Sequence, residues 1–294
     1  MSERFDFVVV GAGSAGAVIA ARLSEDPRCR VALIEAGQRP PAVELMPAAC
    51  PALQVNPETD WAFTADAGGA GRGLANKRMM VPRGKMLGGS SGLNYMAYVR
   101  GHPGDFDAWA KAGAEGWSYA EVLPYFKKSE GFHESAEIVA DAEAHNREGP
   151  LGVSVRRPVI AGARAFVEAA AAAGIPKGDY NGRDRVGPRG VVSLLQTTTR
   201  DGKRASTYHA FLEGAESRPN LTIRTGVLVT RVLFEGTAAG PVAVGVEIQD
   251  ASGARSRLLA DKEVILSAGA VGSPHLLLLS GVGPKRELEA QGVK

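Results

Sequence analysis

Gly11-Ala12-Gly13-Ser14-Ala15-Gly16 is a G-x-G-x-x-G run between an apolar stretch, Phe5 to Val10, and small and apolar residues at helical spacing, Ser14 to Glu25. In that setting each glycine has a role. Gly11 permits a tight turn, Gly13 lets backbone approach a pyrophosphate, and Gly16 lets a helix pack closely on a strand. Ser14 and Ala15 open the helix, whose unpaired N–H groups and positive dipole end suit an anion. Glu35, followed by Ala36, ends a second apolar run that begins at Arg30. A carboxylate there accepts hydrogen bonds from ribose hydroxyls and repels a 2′-phosphate. The pattern predicts a bound dinucleotide and leaves NAD and FAD both open. The alternative, a glycine-rich turn that binds nothing, fits the strand–turn–helix context less well.

Arg83-Gly84-Lys85-Met86-Leu87-Gly88-Gly89-Ser90-Ser91-Gly92-Leu93-Asn94 is a second stretch with chemical content. Gly88 and Gly89 let backbone come against a planar or anionic group, Ser90 and Ser91 offer hydroxyls, and Arg83 can place a guanidinium near a phosphate. A flexible Gly/Ser loop is the competing reading on composition alone. The five histidines, His102, His133, His145, His209 and His275, are each isolated, with no orienting group evident beside them. Each is expected to be a surface or hydrogen-bonded structural histidine. No His/Cys/Asp cluster has metal-ligand spacing, and Asp105 and Asp107 read as solvated loop acids.

These residues need a frame. Phe5 to Val10 and Arg30 to Glu35 are short apolar runs of the kind that form buried parallel strands. With the helix between them they make a βαβ unit. Gln38 to Arg83, with Pro40, Pro41, Pro47, Pro51 and Pro57 and then the tract Gly68 to Gly71, is too long for an ordinary connection and reads as an irregular surface excursion. Trp109 to Ser129 is helical in pieces, broken at Gly113, Gly116 and Pro124, and a further helix runs from Gly162 to Ala173. Leu221 to Phe234, Val242 to Gln249 and Ser256 to Ser267 read as an antiparallel three-stranded meander. The last strand feeds Ala268-Gly269-Ala270 and an apolar helix, His275 to Leu279. The fold class is α/β, a parallel sheet followed by that meander.

Composition narrows the partners. At 294 residues the chain suits one large or two ordinary domains. Lys plus Arg minus Asp plus Glu is 34 − 32 = +2, so no strong field points to nucleic acid or a membrane surface. The 37 glycines have no triplet period and the apolar fraction is 45%, which excludes collagen and disorder. Cys29 and Cys50 cannot make a disulfide framework. No apolar run reaches ~18 residues and the start lacks a signal-peptide pattern, so a soluble cytoplasmic protein is expected.

Pro82 to Gly101, PRGKMLGGSSGLNYMAYVRG, resembles the first signature of the glucose–methanol–choline (GMC) oxidoreductases. Gly269 to His275, running on through Leu279 to Gly283, is similar to their second. Gly202 to Ser206, Arg218 to Thr222 and Asp60 to Phe63 resemble stretches of the bacterial alcohol- and choline-dehydrogenase branch. The resemblance covers the chain in order and implies that the dinucleotide is FAD, on a Rossmann-like βαβ fold. It puts the pyrophosphate at Gly11, Gly13, Ser14, Ala15 and Gly16, and the adenosine ribose at Glu35 and Ala36. Phosphates, ribityl chain and isoalloxazine would run along Arg83, Gly84, Leu87, Gly88, Gly89, Ser90, Asn94, Met96 and Ala97. Val229 would meet the adenine, and Ala268 with Gly269 would close the site. The implied domains are 1–140 and 220–294 for FAD, with 141–219 partly a substrate-side insertion.

Two departures from the family pattern shape the expectation. Covalently flavinylated members carry a His just before the signature Asn, where this chain has Leu93, so the FAD should be non-covalent. The family's catalytic His and its His or Asn partner are expected beyond Lys294, so the catalytic half should be absent and the chain alone inactive. The function implied is oxidation of a small alcohol to an aldehyde or ketone by hydride transfer to flavin, with O₂ or a quinone as acceptor. The missing C-terminal half would be a partner. The alternatives are a non-catalytic FAD-binding fragment or split-enzyme half, a lyase or photodecarboxylase on the same fold, and an NAD-dependent dehydrogenase.

Overall fold

The computed structural model describes residues 3–133, 135–138, 140–183, 190–238 and 240–293. Along the chain run β1 (Glu3–Val10), α1 (Ser14–Leu23), β2 (Val31–Ile34), α2 (Cys50–Leu53), β3 (Phe63–Asp66) and β4 (Arg78–Val81). Then come α3 (Pro103–Lys111), α4 (Tyr119–Ser129), β5 (Glu130–His133), β6 (Leu151–Val155), α5 (Ala161–Ala172), β7 (Gln196–Thr197), β8 (Thr199–Arg200) and β9 (Lys203–Arg204). The rest are β10 (Leu221–Arg224), β11 (Leu228–Thr237), β12 (Gly240–Gln249), β13 (Arg255–Leu266), α6 (Gly269–Leu279) and α7 (Lys285–Ala290). No helix among the described residues is long and apolar enough to cross a membrane.

The elements gather into two compact units, one of residues up to Asn94 with Ser206 onward, the other Tyr95–Ala205. The sequence reading puts boundaries at 140/141 and 219/220, whereas the units part at 94/95 and 205/206. Backbone hydrogen bonding explains where the compact units part. Tyr98 N–H donates to the Gln196 carbonyl at 2.9 Å and Arg100 N–H to Asn181 Oδ1 at 2.8 Å, tying the tail of the first signature to Asn181 and Gln196.

The first unit is built on a six-stranded sheet in the order β10-β2-β1-β13-β12-β11. β10, β2, β1 and β13 run parallel, and β13, β12 and β11 form the expected antiparallel meander. Val8, Val9 and Val10 are all buried because both sheet faces are covered. Alternation decides which face each serves. Val9 and Leu33 pack with Ala17, Ala20 and Ala21 of α1, while Val8, Val10, Ala32 and Ile34 pack with Val232, Val246, Leu258 and Leu276. Small residues on α1 let it lie close to the sheet, and α6 takes the other side, where Val232 N–H donates to Ser280 Oγ at 2.9 Å.

Three expectations change here. Leu221 to Phe234 is not one strand. It breaks at Gly226, whose φ of +68° turns the chain, so β10 pairs parallel with β2 and only β11 enters the meander. The apolar helix predicted from His275 begins at Gly269 and passes through Pro274. The excursion between Gln38 and Arg83 also holds regular structure, the β3–β4 hairpin with Phe63 opposite Val81.

In the second unit β5 pairs parallel with β6, and β6 antiparallel with β7. Its interior includes a polar cluster. Arg100, Glu130, His145 and Asp179 are all buried and joined by hydrogen bonds.

Candidate functional site

The Gly11–Gly16 turn is built as its glycines require. Gly11 has φ +91°, and a Cβ there would stand 2.6 Å from the Ser267 carbonyl oxygen. A Cβ on Gly16 would meet the Gly11 carbonyl oxygen at 1.8 Å. The turn is zipped between strands, with Gly11 N–H donating to Ile34 O at 2.8 Å and Ser267 N–H to Val10 O at 2.7 Å. Gly13 is the N-cap of α1, no side chain caps that end, and no acid lies in the first turn. Ser14 and Ala15 are exposed. Four N–H groups at such an end have no intrahelical partner, so an anion fits there.

The second glycine stretch folds onto the first. Gly88 N–H donates to Ala12 O at 2.8 Å, and a Cβ on Gly89 would come 2.6 Å from Gly13 Cα. Among the described residues, and apart from its own chain neighbours, a Cβ on Gly13 would have just Gly89 Cα within 4 Å, at 3.8 Å. The two backbones thus make a cradle that any side chain on Gly13 would partly fill. Gly84 lies under the loop, where a Cβ would strike the Gly89 carbonyl carbon at 2.2 Å. Ser90 Oγ accepts from Gly84 N–H at 3.1 Å, and buried Leu87 donates its N–H to Gln38 O at 3.0 Å.

Glu35 is buried, with Oε2 accepting from Ala12 N–H and Oε1 from Gly37 N–H, each at 2.9 Å. Burial pushes its pKa up, against hydrogen bonds from Gly37, Ala12 and Ala36 that favour the charged form. The carboxylate thereby fixes the glycine turn to the end of β2, a role sequence reading missed. Val227 N–H donates to the Glu35 carbonyl at 3.0 Å, so the approach to Val229 runs beside Glu35 and Ala36. Ala268 caps α6, and Gly269, at φ +82°, has open space where a Cβ would be.

The structure therefore brings together Gly11, Gly13, Ser14, Ala15, Gly16, Glu35, Ala36, Gly84, Leu87, Gly88, Gly89, Ser90 and Ala268, with Val229 and Gly269 at the margins. Arg83 behaves differently. Its side chain is exposed and donates Nη1 to the neighbouring Pro82 carbonyl at 2.8 Å. Asn94 is exposed and its N–H donates to Ser90 O at 3.0 Å. Met96 and Ala97 fall in the second unit.

Sequence reading also missed Asp60, a buried pin beneath the loop. Its Oδ1 accepts from Arg83 N–H at 2.7 Å and Ala62 N–H at 2.9 Å, and its Oδ2 from Val55 N–H at 2.8 Å. An Asp60→Ala change strands three inward-facing donors at ~1–3 kcal/mol each. The expected result is a thermal midpoint lowered by several degrees, read in a melt of the folded chain. A midpoint unchanged from wild type would refute the pin.

The expectation that no histidine has an orienting group is corrected in two cases. His145 Nδ1 lies 2.9 Å from Glu130 Oε2 and its Nε2 2.6 Å from Asp179 Oδ2. His209 lies between Glu44 and Glu213, 3.1 Å from each. Both carry carboxylates on both ring nitrogens, so neither has a nitrogen left to take a substrate proton. His102 caps α3 by accepting from Gly104 N–H at 3.0 Å, while His133 and His275 are exposed.

A family model described as GMC oxidoreductase matches residues 5–291. The oxygen-dependent choline dehydrogenase of Vibrio vulnificus is 41% identical over 297 residues, which cover 100% of this chain and 50% of that protein. The glucose dehydrogenase [FAD, quinone] of Drosophila melanogaster is 40% identical, covering 99% and 45%. The crystal structure of pyridoxine 4-oxidase from Mesorbium loti superposes with a TM-score of 0.87 at 38% identity, over 98% of this chain and 54% of that one. The chain spans about half the length of the curated relatives it matches. A family pattern that starts at β1 and runs on past α7 takes in both glycine loops and both ends of the sheet, and by it the chain belongs to the GMC oxidoreductase family.

Proposed function

We propose that this chain is the FAD-binding half of an oxidoreductase that converts a small alcohol to an aldehyde or ketone. One observation carries the reading: the Gly13 and Gly89 backbones form an open cradle at the uncapped N-terminus of α1. The α1 amides and Gly13 hold the pyrophosphate, and Glu35, whose carboxylate keeps acceptor capacity beyond its backbone hydrogen bonds, accepts from the adenosine ribose. Gly84, Leu87, Gly88, Gly89 and Ser90 line the path toward the flavin, with Ala36, Val229, Ala268 and Gly269 at its edges. Arg83, Asn94, Met96 and Ala97 complete the assignment. Bound FAD supplies a hydride acceptor for the carbinol carbon.

The three relatives act, by name, on choline, glucose and pyridoxine. What those molecules share is a carbinol, so the class proposed is an alcohol. O₂ or a quinone re-oxidises the cofactor, as the names of the first two suggest. The hydroxyl proton needs an aligned base, which commonly contributes ~10²–10⁴-fold. In this reading the base comes from a polypeptide corresponding to the half of the relatives that the chain does not cover. Anaerobic mixing of the FAD-loaded chain with primary alcohols tests it. Flavin bleaching is expected only when the downstream polypeptide is added, and rapid bleaching by the chain alone would overturn the division of labour.

The FAD is held without a covalent bond. Leu93 is buried against Leu53 and Met86 and has no nucleophilic atom to offer. Acid precipitation of the loaded chain should leave yellow colour in the supernatant, and colour retained in the pellet would refute this. Glu35→Ala removes ribose contacts, each worth roughly 1.5–3 kcal/mol, and strands the Ala12 and Gly37 amides. FAD affinity is expected to fall at least about tenfold, and equal affinity in the folded variant would take Glu35 off the cofactor.

A further inference from the structure

Thr207 to Glu213 ties together parts of the first unit that the proposed function assigns to the cofactor. Tyr208–Leu212 form a single π turn, a geometry frequent at functional sites. At its start, Thr207 N–H donates to Ser91 Oγ at 3.0 Å, and Ser91 Oγ donates to the Gly88 carbonyl at 2.6 Å. One residue on, Arg39 Nη1 donates to Tyr208 Oη at 2.8 Å and Glu216 Oε1 at 2.7 Å. His209 then reaches Glu44, in the short 3₁₀ turn Ala42–Leu45, with Nε2 and Oε2 3.1 Å apart. Glu44 is fully buried and lies against the glycine loop from the other side: a Cβ on Gly92 would stand 3.2 Å from its Oε1.

A buried carboxylate at that place calls for a cation close by. Both ring nitrogens of His209 face carboxylate oxygens, Glu44 on the 42–45 turn and Glu213 on its own turn. Only the doubly protonated ring donates to both. The hydrogen bond to Glu44 is the largest influence on the His209 pKa and holds it above the ordinary value, against burial. Arg39 is turned to Glu216 and Tyr208.

We propose that His209 and Glu44 are a positioning pair, whose ionic contact sets how closely the Gly88–Gly92 loop lies on the Gly13 turn. This rests on the FAD reading above. Gly89 and Gly13 are already packed backbone to backbone, so the cradle has little slack, and a small shift of the loop changes the space left for the pyrophosphate. When the imidazolium loses its proton, one nitrogen becomes an acceptor facing a carboxylate, and the ionic contact that joins the 42–45 turn to the π turn is lost. Affinity for the dinucleotide therefore falls as pH rises through the His209 titration.

The test is titration of FAD into the full chain from about pH 6 to about pH 9, followed by flavin fluorescence, for wild type, His209→Gln and His209→Arg. Wild-type affinity is expected to weaken about tenfold across that range. His209→Gln should bind weakly with a flat profile, and His209→Arg should hold the low-pH affinity throughout. A second measurement needs no variant. Linkage is reciprocal, so if protonation favours FAD by tenfold, FAD must raise the His209 ring pKa by about one unit, read by NMR. A ring pKa unmoved by bound FAD, or the same pH slope in His209→Gln as in wild type, overturns the positioning pair and leaves the FAD reading standing. A wild-type chain that binds no FAD at any pH overturns the FAD reading and this proposal with it.

Discussion

Replacing His145 by alanine is expected to cost the chain about 3–5 kcal/mol at neutral pH, the usual penalty for removing one partner from a buried ionic network. The ring holds two carboxylates, Glu130 and Asp179, inside the 95–205 unit, and Phe132 stacks on it with centroids 4.2 Å apart. Arg100 Nη2 completes the group by donating to Glu130 Oε2 at 2.8 Å. Burial alone would depress the His145 pKa, but the hydrogen bonds to Asp179 and Glu130 outweigh it and raise it from 6.5 to about 9. Asp179 moves the other way: burial raises it, and the bond from His145 with those from the Asp141 and Asn181 amides brings it from 3.8 to about 2. The signs give a window. The imidazolium's contribution is fully present below about pH 6.5 and is lost as pH rises through about 9. Asp179's is present above about pH 3.8 and is lost as pH falls toward 2. Thermal melts of wild type should fall steeply on the alkaline side. His145→Gln, which does not titrate, should melt lower at pH 7 and lose that alkaline slope. Parallel wild-type and His145→Gln profiles would sink the argument. Tyr180, pushed up to about 12 mainly by burial, stays neutral across the range and does not confuse the reading.

Gly13→Ala and Gly16→Ala should fail in different ways. Gly13 has φ −73°, which suits alanine, and its added methyl would touch only Gly89 Cα at 3.8 Å. That variant should fold with an unchanged melting point. Its methyl nevertheless stands in the cradle, so FAD affinity should drop by about a hundredfold or more, roughly 2.7 kcal/mol. Gly16→Ala meets a carbonyl oxygen at 1.8 Å and should lose both the turn and stability. Titrating FAD into each variant alongside a melt of the apo chain separates the two. A Gly13→Ala chain that binds FAD as wild type does would remove the pyrophosphate from this turn.

Legibility followed the range of the forces involved. Val8 to Val10 and Val31 to Ile34 are buried on both faces and so appear in sequence as unbroken apolar runs. The glycines of the two loops are legible because a positive φ or an absent Cβ admits nothing else. Leu221 to Phe234 misleads because a single glycine splits it and its two halves choose different neighbours, which local pattern does not encode. Asp60, Glu44 and His145 were out of reach for a related reason. Asp60 is defined by Arg83, Glu44 by His209 and His145 by Asp179, partners that only the fold delivers. An isolated histidine in sequence says nothing about two carboxylates converging on it.

The sheet order has a consequence for biosynthesis. β1 sits between β2 and β13, and Val8 pairs with Val264. β1 thus has an open edge until a segment about 250 residues later leaves the ribosome, tens of seconds at ~5–20 residues per second. Throughout that interval an apolar parallel edge is available to other chains. The 95–205 unit has no such delay, since among the described residues β5, β6 and β7 find their pairing partners inside that unit. It can close while β1, α1 and β2 still wait. Newly made chains should therefore depend on holding chaperones for the first unit and not for the second, with β13 as the strand whose arrival ends the wait.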